Sequence, residues 1–196
     1  MLNIHTLTLG AYGTNCYIVH DSASKTCCVI DPGYTPEKVL SEVNALGLTV
    51  EAILLTHGHF DHVGGVKEIA AETGCDVYLC ADELTLPPQI TAGPLYYTKT
   101  YDEGDTLHLA GLTISVIRTP GHTPGSVCLL IGDAMFSGDT LFAGSCGRTD
   151  FPGGSDAAMR ASLRRLAGLS TDYRVYPGHG MDTTLAEEKR YNPYLQ

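Results

Sequence analysis

The sequence predicts an α/β fold with mixed sheets. Short β-branched or aliphatic segments recur along the chain, and each ends in glycine or proline. Helical stretches with start and stop signals lie between some of these segments, while other strands follow one another closely enough to pair as hairpins. Hairpins make antiparallel neighbours and helical crossovers make parallel ones, so both belong to this fold.

In chain order, "NIHTLTL", "NCYIVH" and "TCCVID" read as the first strands. "TPEKVLSEVNALG" follows as a helix, with Thr35 at the N-cap, Pro36 at the first helical position and Gly47 as its stop. "AILLTH" is the next strand, and "HVGGVKEIAAETG" predicts a helix directly behind it. After the strand "DVYLC", residues 81–105 carry two adjacent prolines and three tyrosines, and read as an irregular excursion over a site. The strands "LTISVIRTP", "SVCLLIG" and "AMFSGD" come next. The helix "GSDAAMRASLRRLAG", capped by Ser155 or Asp156, then leads to the strand "YRVYPGH".

At 196 residues the chain is expected to form one domain, 1–196, with a substantial core. Its formal net charge of −10 repels phosphate backbones, so no nucleic-acid partner is expected. Seven cysteines without a C-x-x-C pair do not suggest a disulfide framework; they read as mostly buried thiols in a reducing compartment. On a strand, the adjacent Cys27 and Cys28 point to opposite faces. The N-terminus lacks the charged and apolar regions of a signal peptide, and no apolar run is long enough to span a bilayer. A cytoplasmic protein without a membrane partner is the expectation, as a monomer or small homo-oligomer.

Five predicted strands end in a polar residue set in glycine and proline: "VIDPG", "LLTHGH", "RTPGH", "FSGD" and "YPGH". Ligand sites on α/β sheets gather at the carboxyl ends of strands. The densest of these ends is "ILLTHGHFDHVGG", which places His57, His59, Asp61 and His62 within six residues. Such groups cost free energy to bury unless something satisfies them. Gly58 adds little bulk, so His57 and His59 approach one centre from the same side, and Asp61 and His62 reach a neighbouring point. His122, Asp139 and His179 complete a set of five histidines and two aspartates, which suits two divalent metals. Nitrogen and oxygen donors without cysteine fit a catalytic zinc site that keeps a position open for water. Two such metals share one carboxylate, for which Asp139 is the candidate, and metal coordination lowers the pKa of water to about 7. Zinc is the expected metal, although iron and manganese accept the same donors. His5, His20 and His108 lack such surroundings and read as ordinary strand or loop residues.

"THGHFDHVGG", "TPGHTPGS", "FSGDTLF" and "YPGHG", in that order, resemble the metallo-β-lactamase-fold hydrolases. Within them, "LFAGSCGRTDFPGGS" and "RYNPYLQ" are most similar to the short glyoxalase II-like, or hydroxyacylglutathione hydrolase-like, proteins. The resemblance implies a four-layer αββα sandwich of two mixed β-sheets. It implies one metal on His57, His59 and His122, a second on Asp61, His62 and His179, and Asp139 bridging. Asp31 matches an early family aspartate that braces the ligand loop from behind. Class B1 β-lactamases carry cysteine at the position of Asp139, which disfavours β-lactam hydrolysis. Flavodiiron oxidoreductases carry glutamate at His59, which disfavours that chemistry.

The function this implies is hydrolysis of a small-molecule thioester of the hydroxyacylglutathione type, with Asp61 orienting the attacking water and taking its proton. Arg148 resembles a basic position that contacts the thiol; the other reading is that it fixes its own loop through Asp150. Tyr96, Tyr97 and Tyr101 either line the entrance or pack down. Full-length glyoxalase II carries a C-terminal helical domain, whereas only 17 residues follow His179 here, so no such domain is expected. The alternatives are a persulfide dioxygenase with one iron on His57, His122 and Asp139, or a lactonase or esterase of the same fold.

Overall fold

Unbroken apolar runs such as "CYIV" and "AILL" arise where a strand is covered on both faces, and the tertiary structure supplies both covers. The computed structural model describes residues 1–196. Its first sheet contains β1 (Leu2–Leu9), β2 (Thr14–Asp21), β3 (Thr26–Ile30), β4 (Thr49–Leu54), β5 (Asp76–Cys80) and β6 (Lys99–Tyr101), side by side in chain order. The hairpins β1–β2–β3 are antiparallel, and β3 to β6 run parallel. The second sheet comprises β7 (Thr106–Leu109), β8 (Leu112–Arg118), β9 (Val127–Ile131), β10 (Ala134–Gly138), β13 (Arg174–Pro177) and β14 (Thr183–Thr184), in the order β14-β13-β10-β9-β8-β7. Only β10 and β13 pair in parallel there. Between β10 and β13 lies a small hairpin, β11 (Leu141–Phe142) and β12 (Ser145–Cys146).

Inward side chains of both sheets, among them Tyr17, Val19, Ile30, Leu54, Ile114, Leu129 and Phe136, meet in one buried cluster. The outer face of the first sheet is covered by α1 (Pro36–Ala45) and α3 (Val66–Thr73), through Val39, Val43, Val66 and Ile69. Met159, Leu163 and Leu166 of α5 (Asp156–Ala167) cover the outer face of the second. Helix, sheet, sheet and helix follow in succession, so the mixed α/β expectation and the implied αββα sandwich both hold. Cys27 and Cys28 lie in different clusters, one on each face of β3, as their adjacency predicts.

Some local readings are corrected. Thr35 sits at the N-cap of α1, but its left-handed backbone (φ 71°) turns its hydroxyl to the Tyr34 carbonyl rather than to a helix amide. The helix predicted behind "THGHFDH" is two: α2 (Phe60–Val63) and α3, broken at Gly64 and Gly65. A Cβ on Gly64 would lie 2.8 Å from the Tyr34 ring, so the break lets the chain pass under the loop after β3. Residues 81–105 are not wholly irregular, since they hold a 3-10 turn (Ala81–Thr85), α4 (Pro88–Thr91) and β6. The C-terminal helix α6 (Leu185–Tyr191), capped by Thr184, and the short strands β6, β7, β11, β12 and β14 were not predicted. Ser155, not Asp156, caps α5, its hydroxyl accepting from the Ala158 amide. No helix is long and apolar enough to cross a membrane.

Candidate metal centre

Strands β3 and β4 run parallel, as do β10 and β13, so their carboxyl ends reach one edge of the sandwich. Asp31 directly follows β3, and His57 lies just beyond β4. His122 lies beyond β8, Asp139 directly follows β10, and His179 comes two residues after β13. His59 is the N-cap of α2, and Asp61 and His62 lie within that short helix. At Gly178 a side chain is excluded, because a Cβ there would stand 2.2 Å from Asp139 Oδ1 and 2.7 Å from His62. The close approach of these two strand ends depends on that glycine.

The seven residues expected to hold metal lie together. Donor atoms of His57, His59 and His122 fall within 4.8 Å of one another, as do those of Asp61, His62 and His179. Asp139 stands between the two groups: its Oδ2 is 3.4 Å from His122 Nε2 and 3.6 Å from His179 Nε2, and its Oδ1 is 3.4 Å from His62 Nε2. His59 Nδ1 and His122 Nε2 approach to 2.8 Å, and His62 Nε2 and His179 Nε2 to 3.3 Å. His57 Nε2, His59 Nε2 and Asp139 Oδ1 are buried without any hydrogen-bond partner. Orphaned buried polar atoms are rare and costly, and a divalent cation among these nitrogen and oxygen donors would satisfy His57 Nε2 and Asp139 Oδ1.

Hydrogen bonds behind the cluster orient its rings. His122 Nδ1 donates to the Arg148 carbonyl at 2.8 Å, and His62 Nδ1 donates to Asp31 Oδ2 at 2.9 Å. In the neutral ring each bond keeps the proton on Nδ1, so that Nε2 faces the cluster as a lone pair. Burial, with the neighbouring imidazoles, holds His57 well below the ordinary histidine value and His59 at about 4, and burial also lowers His122. Burial opposes protonation of His62 and His179 too, but the carboxylates around them outweigh it and hold both above that value. Asp61 and Asp139 stay below the usual carboxylate range, because His179 and His62 respectively overcome the cost of burial.

Asp31 lies directly behind the His57–His62 loop, bonded to Thr56 and His62. Its Oδ1 accepts from the Thr56 amide at 2.8 Å, its Oδ2 from the Thr56 hydroxyl at 2.6 Å, and its backbone holds a positive φ of 49°. Such strain persists only where surrounding bonds over-determine it. Sequence reasoning missed two other partners. The Thr14 hydroxyl donates to Asp61 Oδ2 at 3.0 Å, from a strand that bridges to His179. Glu83 is fully buried, and its carboxylate accepts from the Gly58 and Gly125 amides. Burial raises its pKa, against the opposing pull of the Thr123 hydroxyl and those two amides. One signal was available: Glu83 follows the apolar strand β5, so it too is a polar residue just past a strand's carboxyl end.

The cluster floors an open cleft of about 470 Å³. Aromatic walls come from Tyr12, Phe60 and Phe151, not from the three tyrosines of 81–105. Tyr101 is buried with its hydroxyl donating to the Leu55 carbonyl, and Tyr96 and Tyr97 are exposed and do not line the cleft. Arg148 is at the rim, its guanidinium 3.9 Å from the Phe151 ring centroid. Its Nε and Nη2 donate to the two oxygens of Asp150, at 2.7 and 2.8 Å.

Residues 9–179 match the family described as the Metallo-beta-lactamase superfamily. The chain is 33% identical to hydroxyacylglutathione hydrolase GloC of Haemophilus influenzae, over 99% of this chain and 98% of that protein. The crystal structure of BLEG-1 B3 metallo-beta-lactamase superposes with a TM-score of 0.89 and 34% identity, covering the whole of both chains. A di-iron-bound form of TTHA1623 superposes with a TM-score of 0.87 and 40% identity, covering 97% of this chain and 100% of that one.

Proposed function

Because the chain belongs to the metallo-β-lactamase superfamily and is a metal-dependent hydrolase of that fold, we propose that it cleaves a small-molecule thioester of the hydroxyacylglutathione type. The observation that carries this reading is Asp139, set between two complete donor groups on the floor of an open cleft. His57, His59 and His122 would hold one cation and Asp61, His62 and His179 a second, with the Asp139 carboxylate within reach of both groups. Bound there, divalent cations supply Lewis acidity and an acidified water.

The Thr14 hydroxyl donates to Asp61 Oδ2 and fixes the carboxylate at the edge of the cleft. That carboxylate orients the attacking water and takes its proton. Thiolate is a good leaving group, so no general acid is required of this chain. Tyr12, Phe60 and Phe151 offer aromatic faces to the substrate, and Arg148 meets its outer end. The name of the GloC relative supports the thioester class. Zinc suits the donors; the di-iron form of TTHA1623 keeps iron in view, and manganese accepts the same ligands. The complete Asp61, His62 and His179 group favours this reading over a single-iron dioxygenase. Seven unpaired cysteines support a cytoplasmic setting.

The test joins elemental analysis of protein purified without added metal to a substrate panel: S-lactoylglutathione, a lactone, a β-lactam, and a persulfide with oxygen uptake. Two divalent ions per chain and thioester cleavage are expected, with activity lost to a chelator. His59→Ala should lower kcat/KM by more than about a hundredfold, beyond the usual cost of removing an outer partner. Fully loaded protein that leaves every thioester intact would defeat the proposal. One iron with oxygen uptake would replace it with the dioxygenase, and selective lactone or β-lactam cleavage with an ester- or lactam-directed hydrolase.

A further inference from the structure

Glu83 belongs to none of the motifs, yet it connects the two sheets behind the candidate centre. It stands in the 3-10 turn after β5 and has no solvent exposure. Its Oε2 accepts from the Gly58 amide at 2.5 Å and its Oε1 from the Gly125 amide at 2.7 Å. Gly58 separates His57 from His59 on the loop of the first sheet, and Gly125 follows His122 on a loop of the second. A Cβ on Gly58 would lie 2.9 Å from Oε2, and one on Gly125 would lie 2.8 Å from Oε1. Both glycines therefore let backbone close on this carboxylate. Buried amides seldom go unpaired, and two of them bonded to one immobile carboxyl group define the gap between the loops. The other donor group has separate supports: Asp31 behind His62 and Thr14 behind Asp61.

We propose that Glu83 is a positioning residue that sets the spacing of the His57–His59 loop and the His122 loop, and thereby governs cation affinity at that three-imidazole group but not at Asp61, His62 and His179. The inference rests on the metal-centre reading above. Glutamine at 83 keeps one acceptor and turns an NH₂ donor toward the other amide, whereas alanine leaves both buried amides unpaired. Loss should therefore grow from Glu to Gln to Ala.

The experiment measures zinc affinity by competition with a chromophoric chelator, and coordination by the visible spectrum of cobalt-loaded protein. Glu83→Gln and Glu83→Ala are each placed in a His179→Ala background, which weakens the second group, and in a His59→Ala background, which weakens the first. With His179→Ala, affinity should fall about tenfold for Gln and about a hundredfold for Ala, the range typical of outer-shell partners, and the cobalt spectrum should change. With His59→Ala, it should stay within about twofold. Equal losses in both backgrounds would mark Glu83 as merely structural and overturn the proposal, as would unchanged affinity in the first. Circular dichroism checks folding, and the Gln variant carries the test if the Ala variant does not fold. Wild-type chain that holds two ions alongside unaffected Glu83 variants sinks only this inference; wild-type chain that holds none sinks the metal-centre reading with it.

Discussion

At the residue scale, the cleft's charge balance turns on Arg148 and Asp150. The guanidinium lies over the Phe151 ring and already spends two donors on one carboxylate. The two readings of Arg148 are thus coupled, since a substrate carboxylate must compete with Asp150 to reach it. Both side chains are more than half exposed, so solvent screens the pair and the competition is mild. Asp150→Asn should lower KM for anionic S-lactoylglutathione by up to about fivefold, and leave both KM for an uncharged thioester and kcat unchanged. Steady-state kinetics on the two substrates reads this directly. Equal KM changes for both would mean that Arg148 contacts no anion. Residues of this kind, whose partners lie two or three positions away, were visible in "GRTDF" itself. Glu83 shows its place after a strand, but not its role, because its partners are 25 and 42 positions away.

At the scale of elements, the centre depends on how the sheets are pressed together. Phe136 of β10 is fully buried in the inter-sheet core, edge-on to Tyr17 and stacked on Tyr176. Tyr17 in turn donates its hydroxyl to the Pro177 carbonyl at 2.6 Å, two residues before His179. Phe136→Ala should cost about 3–5 kcal/mol in a urea titration, from lost burial and the cavity left behind. The long strands were legible because most are β-branched or aliphatic segments with glycine or proline close to an end. Short edge strands such as β6 and β7, three and four residues long, are too brief for an alternation to stand out, and their partners are fixed elsewhere in the chain. Gly64 and Gly65 likewise look like weak helix residues, until the loop beneath them shows why the helix must break there.

For the whole molecule, burial decides the chemistry of the seven thiols. None is in a disulfide, and only Cys146 is partly exposed. Burial pushes Cys27 to about 12 and Cys128 to about 11, and raises Cys146 to a lesser degree. Thiolate is the reactive form, so at pH 8 the native protein should label with iodoacetamide slowly and at Cys146 alone. The rate should rise about tenfold per pH unit below the Cys146 pKa. All seven should label in denaturant, with peptide mass spectrometry giving the sites. Rapid labelling of Cys16 or Cys28 in the native state would show that the sandwich opens far more than its packing implies.

The amino-acid sequence by itself determined the alternation of strands and helices, the H-x-H-x-D-H turn and the polar residues at five strand ends. These are local features, written in neighbours along the chain, and hydrophobic burial and turn chemistry act on neighbours first. The tertiary structure decided which of those ends meet, that Asp139 lies between the two donor groups, and that Tyr12 and Phe151 rather than the tyrosines of 81–105 wall the cleft. It also decided that a buried glutamate spans the loops of both sheets. Each of these depends on sheet register and on the distance between two sheets, quantities set only when the whole core closes.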